Sequence, residues 1–248
     1  MNNAVELQEF AAQLRTHEDP FSVFQSFIED HGGKGYFYGF AGMKSDFLEF
    51  NYSKALFSHH TYGDDWAKTS GPERAIDHDT TIARLLAGED YVEWVPENIS
   101  EYVSHYTPEQ HKQVSSEHGM GLKFGCSIAI DRSAFGLSGM GFWTTAVTSG
   151  HEFRQLWSRY GAQICQGAAM LDMHIRKDQP NLLIGLTARE IDCISWLAAG
   201  LRPSEICWKL QISEKTFEKH ISNAKQKLKS RTRDNAVAKA ILFGLIKM

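Results

Sequence analysis

Between Ser213 and Leu228 two kinds of side chain separate onto two sides of one helix. At 3.6 residues per turn Phe217, Ile221, Ala224 and Leu228 fall together, while Lys215, Lys219, Ser222 and Gln226 fall opposite, with Asn223 nearby. Ammonium groups so placed can neutralise phosphates, and a side-chain amide such as that of Asn223 can pair with a base edge. Thr216, His220 and Lys227 lie on the flank, suited to contacts with a nucleic-acid backbone. A solvated amphipathic helix would show the same pattern, so its surroundings must decide.

Those surroundings are helical and basic. Thr187 and Glu190 have the spacing of a capping box, which starts a helix near Ala188. Ile191, Ile194, Leu197 and Ala198 continue it with Trp196 beside them, and Gly200 stands where a left-handed terminal residue costs least. Pro203 suits the first turn of a second helix with Ile206 and Leu210 inward, and Ser213 is a ready N-cap for the third. Residues 184–248 carry 12 Lys and Arg against 6 Asp and Glu, whereas the other 183 residues carry 14 against 24. The chain's net charge of −4 therefore hides a basic C-terminal quarter, the footprint of a unit that contacts phosphates.

Along its whole length this segment resembles the C-terminal domain of the LuxR-type regulators. The resemblance is carried by Leu186-Thr187-x-Arg189-Glu190, Trp196, Ala199-Gly200, Glu205-Ile206, Leu210, Ile212-Ser213-Glu214-Lys215-Thr216, His220, Asn223, Lys227-Leu228, Arg233, Ala236-Val237, Ala240 and Gly244-Leu245-Ile246. Leu201-Arg202-Pro203, Cys207-Trp208 and Phe217 depart from the family's usual residues without removing a groove-facing group. The resemblance implies a four-helix helix-turn-helix domain whose third helix enters the major groove, with double-stranded DNA as partner.

The preceding residues are numerous enough for a second domain with its own core. No stretch reaches the 18 or so apolar residues of a membrane span, and the start MNNAVELQEF lacks the basic and apolar regions of a secretory signal, so the expected setting is cytoplasmic, with no membrane partner. Cys126, Cys165, Cys193 and Cys207 show neither CxxC nor metal spacing and read as reduced structural thiols. His59-His60 and His78-Asp79 have no third ligand at a persuasive spacing, so no metal and no cofactor is expected.

Periodicity predicts helices near 4–15 and 20–31, a strand over Gly35–Phe40 with Tyr36, Tyr38 and Phe40 on one face, and a strand at Phe47–Tyr52. An irregular stretch follows to about Asp77. Helices near 79–87 and 107–118 flank a short apolar run at Tyr91–Val95. Strands at Leu122–Ile130 and Leu137–Thr145 precede an amphipathic helix over about 150–175. The fold class expected is α+β: an N-terminal α/β/α sandwich on an antiparallel sheet over 1–175, a polar linker over 176–183, and the all-α four-helix domain over 184–248.

A second, sparser pattern extends the resemblance. Quorum-sensing LuxR-type proteins bind acyl-homoserine lactones through Tyr-x3-Trp-x3-Tyr-x8-Asp-Pro, a Trp about fifteen residues on, then Gly-x3-Gly. Tyr62, Trp66, Asp79, Trp94, Gly121 and Gly125 fall at matching spacing. The resemblance implies that the Trp66 indole donates to the lactone carbonyl, that Asp79 accepts from the amide N–H, and that Trp94 packs on the ring. Ser70 stands where the family has Tyr, and Thr80 where it has Pro. A serine reaches the amide carbonyl only through water or a shifted ligand. Ser127 and the Tyr36–Tyr38 face are further candidates for pocket lining, with core packing as the alternative for each. Asp79 could equally cap a helix starting at Thr80.

The reading is a LuxR-type transcriptional regulator controlled by an acyl-homoserine lactone or related autoinducer, acting as a homodimer on a palindromic site, with RNA polymerase a further candidate partner. The alternative is a regulator of the same type that folds and binds DNA without a lactone, or answers another signal. The apolar positions of the long helix, Phe153, Leu156, Trp157, Tyr160 and Ile164, serve either as a dimer seam or as packing onto the sheet. No phosphate loop, nucleophile elbow or metal cluster marks an enzyme.

Overall fold

The computed structural model describes residues 3–42, 56–69, 79–98, 105–133 and 136–246. It divides into two compact units, Met1–Asp172 and Met173–Met248. The expected strand at 47–52 and Ser70 lie outside the described residues.

In the first unit, α1 (Asn3–Thr16) and α2 (Pro20–Asp30) lead into β1 (Gly35–Gly42). Asp19 caps α2 by accepting from the Phe21 N–H at 3.0 Å, and Pro20 occupies the first turn, where it forfeits no hydrogen bond. Then follow β2 (Leu56–His60), α3 (Asp64–Thr69), α4 (Thr80–Leu86), β3 (Tyr91–Trp94), α5 (Pro108–Gly119), β4 (Phe124–Ser133), β5 (Gly136–Thr144) and α6 (Gly150–Met173). The strands form one antiparallel sheet in the order β2-β1-β5-β4-β3. β2 and α3 correct the irregular stretch that the sequence predicts there. Each is five or six residues long, too short for a periodicity to declare itself.

Pairing Tyr36 with Phe142 and Tyr38 with Met140 sets which residues share a face. Tyr36, Tyr38 and Phe142, all buried, lie on the side of α2 and α6: Phe24 packs edge-on to Tyr36 at 4.8 Å, and Trp157 lies 5.7 Å from Phe142. The Tyr36 hydroxyl donates to the Phe21 carbonyl at 3.1 Å and that of Tyr38 to Asp172 at 2.8 Å. Phe153 and Ile164 are fully buried, and Tyr160 lies edge-on to His31 at 5.5 Å. Phe153 and Ile164 of the α6 stripe thus pack within their own unit, while Leu156, Trp157 and Tyr160 stay half-buried. Phe37, Gly39, Ser127, Gly139 and Gly141 occupy the opposite face, beneath α3, α4 and α5, where the site forms.

The second unit opens with a π-helical turn at His174–Asp178 and the short α7 (Asn181–Ile184), so the segment expected as linker carries structure of its own. Then come α8 (Ala188–Ala198), α9 (Pro203–Leu210), α10 (Glu214–Lys227) and α11 (Arg233–Leu242). The capping box is present: Thr187 Oγ1 accepts from the Glu190 N–H at 3.3 Å, and Glu190 Oε2 from the Thr187 N–H at 2.8 Å. Gly200 adopts φ +85°, the left-handed conformation expected after α8. Cys193, Ile194, Ile206, Phe217, Ile221, Ala224, Leu228, Ala236 and Ala240 form the core.

Candidate functional site

A cavity of about 120 Å³ opens between the sheet and helices α3, α4 and α5. On that measure one water needs only roughly 10–15 Å³, so the space suits a small organic molecule. Tyr62, Trp66, Asp79, Trp94 and Ser127 all line it, although they come from five separate places in the chain. Tyr36 and Tyr38 do not. They point to the other side of the sheet, and it is their neighbours Phe37 and Gly39 that face the cavity, because strand side chains alternate.

Two glycines flank this wall, one required by its backbone conformation and one by close packing. Gly121 has φ +88°, closing α5 in a conformation that side chains resist. At Gly125 a Cβ would lie 2.4 Å from the Trp94 ring and 2.3 Å from the Phe142 carbonyl, so Trp94 can lie flat on β4 only over a glycine. Trp66 is held edge-on to Tyr62 at 4.8 Å, to His60 at 4.8 Å and to Phe37 at 5.7 Å. Tyr62, Trp66, Phe37 and Leu122 thus build one aromatic and aliphatic wall.

The polar groups are paired with one another. Trp66 Nε1 donates to Glu117 Oε1 at 3.1 Å, and Gln113 Nε2 donates to the same oxygen at 3.1 Å. Trp94 Nε1 donates to Ser127 Oγ at 3.2 Å, and Ser127 Oγ is 2.9 Å from Thr81 Oγ1. Asp79 Oδ1 accepts from the Thr81 N–H at 2.7 Å, the Thr81 hydroxyl at 2.8 Å and the Ile82 N–H at 3.1 Å, so it caps α4. Capping and cavity lining, offered by the sequence as alternatives for Asp79, coincide in one side chain.

Glu117 is the residue that sequence reasoning missed. Burial, then the negative charge of Asp79, push its carboxyl up to about 7, against the downward pull of the Trp66 and Gln113 hydrogen bonds. Burial likewise raises Asp79, and both burial and the Glu117 and Asp79 charges raise the Tyr62 phenol. Gln113 and Glu117 are four apart on α5 and share a face with Val114 and His118, which also line the cavity. No side chain of α5 is fully buried, so no apolar stripe marks its inward face in the sequence. His118 Nε2 is buried without a hydrogen-bond partner among the described residues.

On the second unit, Ser213 caps α10 by accepting from the Thr216 N–H at 3.1 Å. Phe217, Ile221 and Ala224 are buried while Lys215, Lys219, Ser222 and Gln226 are exposed, with His220 and Asn223 half-buried beside them. The Thr216 hydroxyl lies 2.8 Å from Ser213 Oγ. Lys227 is differently engaged: its Nζ donates 2.8 Å to the buried carboxylate of Glu190 on α8. Lys239, buried on α11, donates to the Leu228 and Lys229 carbonyls at 3.0 and 2.8 Å and so closes the C-terminus of α10, a role the sequence did not signal.

Two short helices meeting at a tight turn, the second basic on its free side, define a helix-turn-helix domain of the DNA-binding class. Residues 185–240 match the model of the bacterial regulatory proteins of the luxR family, and the C-terminal unit is a LuxR-family helix-turn-helix domain. The chain is 34% identical over 131 residues to the transcriptional activator VanR of Vibrio anguillarum, covering 51% of this chain and 53% of that one. It is 31% identical over 137 residues to the quorum sensing-dependent transcriptional regulator VjbR of Brucella ovis, covering 54% and 51%. The chain therefore spans about half the length of the curated relatives it matches. Among solved structures, SdiA in complex with octanoyl-rac-glycerol aligns over 100% of this chain and 98% of its own, with a TM-score of 0.50 and 14% identity. The N-acylhomoserine lactone dependent LuxR family factor CepR2 of Burkholderia cenocepacia aligns over 73% and 99%, with a TM-score of 0.51 and 14% identity. At that identity what is shared is the fold, here the antiparallel sheet between helices and the helical C-terminal unit.

Proposed function

We propose that this chain is a transcriptional regulator of the LuxR type. Its α10 reads double-stranded DNA, and the cavity of its N-terminal unit takes a small amphipathic signal, an N-acyl-homoserine lactone or a related molecule. The observation that carries the reading is the convergence of Tyr62, Trp66, Asp79, Trp94 and Ser127 on one cavity. Aromatic walls with a few converging polar groups are what such a ligand needs. Ligand held there stabilises the folded unit by mass action, and a homodimer would set two recognition helices on a palindromic site one helical turn apart. Lys215 and Lys219 supply phosphate contacts, with Thr216, His220 and Asn223 beside them.

The test is thermal unfolding of protein from a lactone-free host, with and without lactones of graded acyl length, alongside binding to DNA fragments selected by the chain itself. A rise in melting temperature that varies with chain length, together with altered DNA affinity, is the expected result. A second reading, regulation without a lactone, is favoured by a specific observation: the Trp66 and Trp94 N–H groups and the Asp79 carboxylate already have partners within the protein. Stable, DNA-binding protein unmoved by every lactone would establish it.

A further inference from the structure

The register of the sheet gives the cavity a polar end and an apolar end. Ser127 of β4 pairs with Gly141 of β5, and two residues along each strand Ala129 pairs with Gly139. Trp94 and Thr81 both bond to Ser127, and Asp79 to Thr81, so the polar groups gather at that row. Gly139 and then Leu137 lead the other way along β5, and both line the cavity. Helix α4 runs in the same direction: Thr81 in its first turn meets Ser127, and Leu85 in its last turn stands over Gly139. A ligand with its head among the polar groups must send its tail along β5, beneath α4.

That path is short. A Cβ on Gly139 would lie 3.6 Å from Leu85 Cδ1, so the gap between helix and strand would hold a bonded methyl but not a free chain, which needs van der Waals distance on both sides. From the Ser127–Gly141 row to this stop is two residues, about 7 Å. Behind it Leu85, Val92 and Leu137 form one buried cluster with Leu86 and Ala129 packed against it. The whole cavity, about 120 Å³, is smaller than the roughly 150 Å³ that holds a benzene molecule, and a seated head group leaves little of it for a tail.

A second, independent feature braces the stop. Arg132 of β4 donates to the Leu85 carbonyl at 2.7 Å and to the Glu89 carbonyl, and its Nε donates to Asp90 Oδ1 at 3.2 Å. The Ala129 N–H donates to the Asp90 carbonyl at 2.9 Å. One guanidinium thus ties the last turn of α4 and the chain after it to the sheet. Leu85 can rise to admit a longer tail only by breaking charge-assisted hydrogen bonds and opening a packed apolar cluster.

We propose that this cavity selects signals with short acyl tails, of the butanoyl or hexanoyl class. Leu85 sets the limit, and Arg132 is the positioning residue that holds Leu85 against the strand. This rests on the reading that the cavity is the signal site.

Four probes that share one head group and differ only in the tail test this: N-butanoyl-, N-hexanoyl-, N-octanoyl- and N-dodecanoyl-homoserine lactone. Binding of each to the full chain is measured calorimetrically for wild type, L85A and R132A. Wild type is expected to bind the butanoyl or hexanoyl lactone at least tenfold more tightly than the dodecanoyl one. L85A and R132A are each expected to shrink that preference at least tenfold, by gaining affinity for long tails rather than losing it for short ones. Wild type that holds the dodecanoyl lactone as tightly as the short ones overturns the inference and leaves the lactone reading standing. An L85A variant with the wild-type ranking overturns the role of Leu85, and a uniform loss across all tails in R132A overturns that of Arg132. Should a variant fail to fold, the ranking on wild type still decides. Absence of binding by all four probes removes the lactone reading and this inference with it, and DNA affinity read in parallel shows whether the regulator itself survives.

Discussion

Lys227 Nζ lies 2.8 Å from Glu190 Oε2, and that ion pair ties the far end of α10 to the first turn of α8. The Glu190 side chain is 2% exposed and that of Lys227 33%, so the carboxylate is the partner with most to lose. Burial pushes the Glu190 carboxyl up, but hydrogen bonds from Lys227 and the Thr187 backbone outweigh it and leave it below the ordinary range. A depressed acid contributes stability at neutral pH that is lost as pH falls through its folded value.

Lys227 and Lys219 should therefore fail differently. Lys227→Ala leaves a buried carboxylate with fewer partners and is expected to destabilise the C-terminal unit by about 1–3 kcal/mol, with partial solvent screening already discounted. Lys219→Ala is expected to leave the melting temperature unchanged, weaken binding to DNA of any sequence, and lower the slope of log affinity against log salt by about one. Chemical denaturation and fluorescence anisotropy across a salt series check the pair. Unchanged DNA affinity for the Lys219 variant would take that residue out of the interface.

The stability of the N-terminal unit should depend on pH through Glu117. Burial pushes its carboxyl from the ordinary glutamate value of 4.5 up to about 7, so the native state holds the proton more tightly. That contribution is fully present below about pH 4.5 and is lost as pH rises through 7, a change on the order of 2–3 kcal/mol. Glu117→Gln abolishes this part of the pH dependence, which melting temperatures between pH 4.5 and 8 will show. Asp79, raised by burial, acts in the same direction.

Asp79 both caps α4 and bears a buried charge, and two substitutions separate the roles. Asp79→Asn keeps a capping oxygen and removes the charge, so stability at pH 8 is expected to hold or rise. Asp79→Ala loses the cap and is expected to be about 1 kcal/mol less stable than the Asn variant. Hydrogen exchange at the Thr81 and Ile82 amides, which the cap satisfies, provides the local readout.

Gly125→Ala would drive a methyl into the Trp94 ring and the Phe142 carbonyl. Because one obstacle is backbone, adjustment of a single side chain does not relieve it. A loss of about 1–3 kcal/mol or more is expected, with altered Trp fluorescence as β4 and Trp94 move apart.

Local rules carried the helical unit almost completely. The Thr187–Glu190 box, Gly200, Ser213 and the two-sided pattern of α10 are each decided by residues within four positions of one another, so one-dimensional spacing reveals them. The short β2 and α3 escaped because they hold too few residues for a period to show. At Lys227 position on the helix was legible, but the partner 37 residues away was not.

The cavity divides in the same way. Tyr62, Trp66, Asp79 and Trp94, with Gly121 and Gly125, were singled out in the sequence by the resemblance to LuxR-type proteins. Which face of each strand they occupy depended on pairing Tyr36 with Phe142 and Trp94 with Gly125, a register that only the assembled sheet sets. Glu117 could not be assigned from the sequence at all. A glutamate on a polar helix reads as solvated, and only the packing of α5 over Trp66 brings its carboxylate within 3.1 Å of the indole, 51 residues distant in the chain. The chain alone determined what donors and acceptors exist; tertiary structure decided which of them meet, because packing sets the partners of each group and burial shifts its proton affinity.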